Sequence, residues 1–338
     1  MASLEMFRGV KVLEVTDDYF LGSKGYQIVK YVFSNKKYEL VANVIDKYSL
    51  LSRYSLFRRF LRAEITGLYS LRDGNCLVIA KKGIFHKEKH SNFFKKVFSV
   101  PRGSRPLNLC ELPNGHIYFG EYFANMEKEA VYVYASIDYG LTWKIAYTFS
   151  RGNINHIHGL FWDKFTNRLW FCTGDREGEC IIGYTENEFR SITEVFRGNQ
   201  EYRSCQLFFY EHFIVYATDS QYMQNEIRMF DRNSLQITSL AKIQGTVIKG
   251  GQSGNISFLS TTVELSEINK DRYSHLWITN NGVDWFEIYK EEKDMWPFIF
   301  QFGSIEFPKY KCNQMLQRIF FSGRALKNID GSSLSISV

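Results

Sequence analysis

An all-β chain folded as a β-propeller of six four-stranded blades is what this sequence predicts, on three observations. A turn pattern recurs about every 47 residues, the composition favours strands, and hairpin signals stand between the repeats. The pattern is clearest at Ser136-Ile137-Asp138-Tyr139-Gly140-Leu141-Thr142-Trp143, between the strand-like runs 131–135 and 144–148. An Asp there can accept bonds from turn backbone, Gly supplies a positive φ, and Trp packs beneath the turn. Residues 278–285 repeat the spacing, with Asn280 where Asp138 stands. With Asn35, Asn92, Asn187 and Asn233 as weaker markers, the intervals are 46 to 49 residues, with one of 57.

Composition supports a single domain over 1–338. The chain holds 29 Phe, 21 Tyr and 6 Trp but only 5 Pro, which is dense in strand formers and enough for one large core. Asp73-Gly74-Asn75, Asn114-Gly115, Thr166-Asn167 and Gly254-Asn255 each sit between apolar runs, as hairpin turns do. They place inner strand pairs near 64–71/76–81, 106–111/116–120, 156–162/167–172, 203–210/213–217, 245–250/256–261 and 299–306/317–322.

An outer pair at 27–33 and 38–44 has no inner pair before it. The amino-terminal strands are therefore expected to close the ring with the carboxy-terminal hairpin; a seventh, irregular blade at the chain ends is the alternative. The long interval holds an insertion at 47–64, where Leu50, Tyr54, Phe57 and Leu61 fall at helical spacing among Arg53, Arg58, Arg59 and Arg62. That spacing predicts an amphipathic helix packing its apolar side on the propeller, with contact to an anionic membrane surface as the alternative.

The net charge of +6, from 42 basic and 36 acidic residues, is mild and dispersed. It argues against a nucleic-acid partner and is compatible with an anionic ligand. The six cysteines show no paired C-x-x-C spacing and read as buried free thiols. Residues 1–11 lack an apolar core of signal-peptide length, and nowhere do about 18 apolar residues run together. The expectation is a soluble cytoplasmic protein without a transmembrane segment. No pattern bears on the oligomeric state.

Residues 136–143, with the weaker copy at 278–285, resemble the Asp-box, or bacterial-neuraminidase, repeats of the sialidase superfamily. The strings Arg102-Gly103-Ser104-Arg105-Pro106, Tyr118-Phe119-Gly120-Glu121-Tyr122, His156-Ile157-His158-Gly159 and Thr173-Gly174-Asp175 are similar to those of sialidase-like proteins grouped loosely with glycosyl hydrolases. The resemblance implies a propeller that handles carbohydrate. A sialidase grips a carboxylate with three arginines and adds a Tyr/Glu pair and an Asp acid; Arg102, Arg105, Arg203 and Arg324 could form such a grip, but the sequence has no Arg-Ile-Pro motif. Asp138 and Asn280 read as turn devices rather than site residues.

In a propeller, the connections between blades and those between second and third strands emerge on one face, around the central tunnel. Here those loops carry Glu121, His158, Asp175, Asp219 and Glu264 as candidate catalytic groups. Arg102, Arg105, His156, Arg203, Gln206, Trp296 and Arg324 are the candidates for substrate binding. Glu121 with Asp175, Asp219 or Glu264 could serve as an acid/base pair, the competing reading being a carboxylate bonded to a neighbouring Arg. His156 and His158, two apart on an extended chain, point to one side. One could act as a base, or His158 could simply bond backbone at the blade start.

No cofactor or metal is required by these patterns; a divalent metal at His156, His158 and Gln206 is the alternative. Arg105 and Arg203 suit bidentate recognition of a sugar carboxylate, and Trp296 could stack on a pyranose. The function expected is carbohydrate-active, glycosidase-like or lyase-like, acting on an acidic or complex glycan at the tunnel. The alternative is a non-catalytic propeller that binds a glycan or a protein on the same face.

Overall fold

At 136–143 the chain turns as its side chains dictate. In the computed structural model, which describes residues 4–338 apart from the Arg53 side chain, Asp138 Oδ1 accepts from Ser136 Oγ at 2.7 Å and from the Thr142 amide at 2.9 Å. Gly140 adopts φ +89°, and Trp143 Nε1 donates back to its carbonyl at 3.1 Å. Thr185, Asn187 and Ser191 rebuild the same bonds, with Phe189 at φ +67° in place of glycine. At 278–285 the acceptor is one residue later than the sequence spacing predicts. Asn281, not Asn280, receives the amides of Val283 and Asp284, both at 2.9 Å.

These turns punctuate strands whose pairing divides the described residues into seven four-stranded antiparallel meanders. The first runs Lys11–Val15, Tyr19–Lys24, Gln27–Val32 and Lys37–Val44; the second Gly67–Ser70, Cys76–Ala80, Gly83–Lys87 and Phe93–Ser99. Cys110–Glu111, Ile117–Gly120, Val131–Ser136 and Lys144–Phe149 form the third, and His156–Asp163, Arg168–Gly174, Cys180–Thr185 and Thr193–Gly198 the fourth. The fifth is Ser204–Phe209, Phe213–Thr218, Glu226–Asp231 and Ile237–Lys242; the sixth Thr246–Ser253, Ile256–Val263, Tyr273–Thr279 and Phe286–Glu292. The seventh joins both ends of the chain: Gly303–Glu306, Arg318–Arg324 and Ser333–Ser337 take Leu4–Phe7 as their outer strand, with Leu4 opposite Ile336.

The two chain ends close the ring as expected, but through Leu4–Phe7 rather than the strands at 27–33 and 38–44, which belong to the first meander, and the count of six inner pairs needs correction. The missed pair is Lys11–Val15 with Tyr19–Lys24, whose turn carries no Gly or Asn. It is held instead by Thr16 Oγ1, which donates to the Tyr19 carbonyl at 2.9 Å and accepts its amide at 3.2 Å. Aromatic side chains fill the spaces between meanders. Phe119 stacks on Tyr134 with Phe98 and Trp143 against them, and Phe7, Phe20, Tyr31 and Phe320 cluster where the seventh meander meets the first. Each buried ring contributes about 2–3 kcal/mol.

The insertion is shorter than 47–64 and inverted. It forms a 3₁₀ turn, Leu51–Arg53, and a helix, Ser55–Leu61, ended by Arg62 in the left-handed region at φ 52°. Two of its arginines face inward: Arg58 pairs with Asp330 at 2.7 Å, and Arg59 is buried between Asp294 and the Trp296 ring, while Arg62 is exposed. Leu50, Tyr54, Phe57 and Phe60 face outward, Phe60 at 65% exposure. Of the predicted apolar side, Leu61 packs on the propeller core as expected, whereas Leu50, Tyr54 and Phe57 do not, because the surface beneath the rest of the helix offers carboxylates rather than an apolar groove. Among the described residues no helix is long and apolar enough to cross a membrane.

Candidate functional site

Four successive meanders place an acid directly after their second strand. Glu121 follows Ile117–Gly120, Asp175 follows Arg168–Gly174, Asp219 follows Phe213–Thr218, and Glu264 follows Ile256–Val263. All four stand where the innermost strands begin, and the residues leading into those strands meet them. Arg203 Nη2 lies 2.9 Å from Asp175 Oδ1 and 3.7 Å from Asp219 Oδ2. The Asp219 amide donates to the Arg203 carbonyl at 2.9 Å, which fixes the acid against the arginine.

The fourth meander's first strand is bulged at His158, so that Ile157 pairs with Thr173 but Gly159 with Cys172. The bulge swings His158 toward His156 until their Nε2 atoms are 3.0 Å apart. Gly174 makes this approach sterically feasible, since a Cβ there would meet His158 Cε1 at 2.5 Å. Asp175 reaches both rings, Oδ1 at 3.2 Å from His158 Nε2 and Oδ2 at 3.3 Å from His156 Nε2. Tyr122 lies over His156 with ring centroids 4.3 Å apart. Cys205 Sγ, behind the histidines, is 3.3 Å from Asp219 Oδ2. Burial lifts the Asp219 carboxyl to about 7 against the pull of Arg203, and burial raises Glu264 as well.

A second charged group occupies the other side of the mouth. Arg324 Nη2 bridges Glu64 at 2.7 Å and Glu306 at 2.9 Å; Lys11 pairs with Glu306, and Arg105 lies 3.6 Å from Glu64. Lys249 projects among them and makes no hydrogen bond to another described residue. Burial pushes its ammonium down to about 8, Arg105, Arg324 and Lys11 adding to the effect while Glu306 opposes it. A cavity of about 200 Å³ touches both groups through His158, Cys205, Lys249, Lys11 and Glu306. That is less than an oligosaccharide needs and enough for one acidic group.

Of the sequence candidates, His156, His158, Asp175, Arg203 and Asp219 come together, with Glu264 beside them. Arg105 and Arg324 belong to the second group, and the amide of Gln206, in the cavity wall, donates to the Leu207 carbonyl at 3.1 Å. Glu121 and Arg102 pair with each other, the competing reading of that carboxylate. Trp296 packs on Arg59 and Phe300 rather than over the tunnel. Sequence reasoning missed Lys11, Glu64, Cys205, Lys249 and Glu306. Lys249 and Glu306 carried a usable signal, a single charge inside a strand run.

No family model matches the chain, and no curated protein matches it. Solved structures do. A chain of a mitotic checkpoint complex matches 99% of this chain and 91% of its own length at 9% identity and a TM-score of 0.59. The WD40 β-propeller domain of Doa1 matches over 98% and 95% at 10% identity, TM-score 0.58. The extracellular domain of a putative one-component system from B. thetaiotaomicron matches all of this chain over 42% of its own, at 11% identity and TM-score 0.60. The fold is a β-propeller. Identities this low carry the fold and nothing of the chemistry.

Proposed function

We propose that this propeller is carbohydrate-active and takes an acidic glycan at the mouth of its tunnel. One observation carries the reading: among the described residues, Lys11, Arg105, Lys249 and Arg324 gather in a shielded place around the two carboxylates of Glu64 and Glu306, and Lys249 makes no hydrogen bond. An excess of positive charge with an open donor favours an anion, and the cavity admits one carboxylate while the rest of a glycan lies across the mouth. The turns at Asp138 and Asn187 support placing the protein with the Asp-box propellers of the sialidase-like group. Asp219, half protonated near neutrality, is the group placed to give a proton to a leaving oxygen or take one from an acidic sugar carbon. Six free thiols fit a reducing cytoplasm.

Binding to an array of uronate-bearing and neutral oligosaccharides, with mass analysis of what is released, tests this. Acidic sugars are expected to bind and be cut. Lys249→Met is expected to lose binding, and Asp219→Asn to keep binding and lose cleavage. Equal binding of acidic and neutral sugars, or none of either, overturns the proposal.

A second reading is favoured by the outward apolar row. Phe60 at 65%, Ile299 at 82% and Met295 at 95% exposure form a surface suited to a non-catalytic propeller docking a protein on this face. Under it, Lys249→Met leaves partner binding intact while Phe57→Ser with Phe60→Ser removes it.

A further inference from the structure

We infer that His156, His158 and Asp175 form a binding site for a first-row divalent cation, with the two Nε2 atoms and the Asp175 carboxylate as its ligands. The inference goes beyond the glycan reading and does not depend on it. His156 Nδ1 lies 2.9 Å from the Phe123 carbonyl and His158 Nδ1 3.0 Å from the Ser204 carbonyl. A carbonyl oxygen only accepts, so each Nδ1 carries the hydrogen and each neutral ring turns a bare lone pair outward from Nε2. Those two lone pairs face each other across 3.0 Å. The side-chain amide of Asn155 is also 3.3 Å from His156 Nδ1, farther than the carbonyl, and its shorter bond runs to Asp175 Oδ2 at 3.0 Å.

Two opposed lone pairs repel unless a cation lies between them. A proton could bridge one of these contacts, but the carboxylate meets both nitrogens, Oδ1 at 3.2 Å from His158 Nε2 and Oδ2 at 3.3 Å from His156 Nε2. An ion bonded at about 2.0–2.2 Å, at tetrahedral or octahedral angles, holds neighbouring ligand atoms about 3.0–3.5 Å apart. The Nε2–Nε2 contact and the contact of each nitrogen with its own carboxylate oxygen all have that length, as for an ion held by both rings and both Asp175 oxygens. The surroundings match a metal site as well, since imidazole ligands are ordinarily oriented by a backbone carbonyl on the far nitrogen, and Asn155 and Arg203 orient the carboxylate.

Arg203 would oppose a cation, and its own pairing with the Asp175 carboxylate at 2.9 Å moderates that charge. Two imidazoles and one carboxylate prefer zinc and its first-row neighbours to calcium or magnesium. Asp175 is the least buried of the three ligands, so the positions left open face the mouth.

The test uses the full chain, stripped with a chelator and titrated with Co²⁺ and then Zn²⁺. One ion per chain is expected, with a cobalt absorption spectrum that zinc abolishes. In ¹H–¹⁵N spectra of the wild type, the Nε2 resonances of His156 and His158 are expected to shift while Nδ1 stays protonated. Asp175→Asn and His156→Gln should each weaken binding at least about tenfold. No cobalt spectrum and unmoved histidine resonances in the wild type overturn the site, whether or not the variants fold. Binding that survives both substitutions overturns it too, placing the ion elsewhere. The readout is the ion rather than a sugar, so either idea can fail alone.

Discussion

Arg102 grips Glu121 from two directions: Nε donates to Oε1 at 3.0 Å while Nη2 donates to Oε2, the oxygen that also accepts the Tyr132 amide at 3.0 Å. The guanidinium lies against the rings of Phe123 and Tyr132, 4.4 and 4.8 Å from their centroids. A buried carboxylate with three of its four acceptor sites engaged is held as a structural partner rather than offered to substrate. Glu121→Ala leaves Arg102 only Glu129 and the Ala130 carbonyl, and is expected to cost about 2–3 kcal/mol in denaturant melts. Glycan affinity of the folded variant should be unchanged. Lost turnover at unchanged stability would return Glu121 to the catalytic set.

Lys249 makes the anion site sensitive to pH in a calculable direction. Its folded value is about 8, below the ordinary 10.5. Below about pH 8 both folded and unfolded chains hold the proton, and the buried charge penalises the fold in full. Between the two values only the unfolded chain keeps it, so stability rises with pH through that window. Urea melts from about pH 7.5 to about pH 10 should show a rise that Lys249→Met removes, the other groups cancelling in the difference. Affinity for a uronate should fall over the same range, because the ammonium that holds it is lost.

How far the sequence could be read follows from which patterns are local. Glu121, Asp175, Asp219 and Glu264 were all legible, since each ends a clear apolar strand at a repeated position. That Glu121 would be taken by Arg102 while Asp175 met two histidines depends on strand register and on how the segment before a meander folds onto the end of its second strand, which no spacing encodes. His158 was legible as a candidate but not its bulge, which turns a period of two into convergence. Lys249 and Glu306 were read past because one charge in a strand-like run looks like strand. The first inner pair was missed because Thr16 replaces the usual Gly or Asn.

The turn at 278–285 separates two neighbouring asparagines. Asn281 accepts two amides and Asn280 is exposed without a hydrogen bond to a described residue, although Asn280 aligns with Asp138 by spacing. Asn281→Ala is expected to cost about 1 kcal/mol, the loss typical of such a local side-chain cap, and Asn280→Ala less than about 0.5. Trp285, whose Nε1 bonds the Gly282 carbonyl at 3.1 Å, reports the difference through its fluorescence on unfolding. Equal costs would mean that the turn takes the register of 136–143 after all.

The inverted helix reverses the usual expectation for an amphipathic segment. Apolar residues on such a helix ordinarily hold it down, and their removal unfolds it. In Ser55–Leu61 that work falls to Arg59, ion-paired with Asp294 and lying 4.5 Å from the Trp296 ring centroid, and to Arg58 through Asp330. Phe60→Ser should therefore change stability by less than about 0.5 kcal/mol, whereas Arg59→Ala should cost about 3 kcal/mol by leaving Asp294 with less compensation. Proteolysis at 50–62 should follow the same order, rapid in Arg59→Ala and unchanged in Phe60→Ser. If Phe60→Ser proves the more damaging, the apolar row is packed in solution, and the docking surface of the second reading is lost with it.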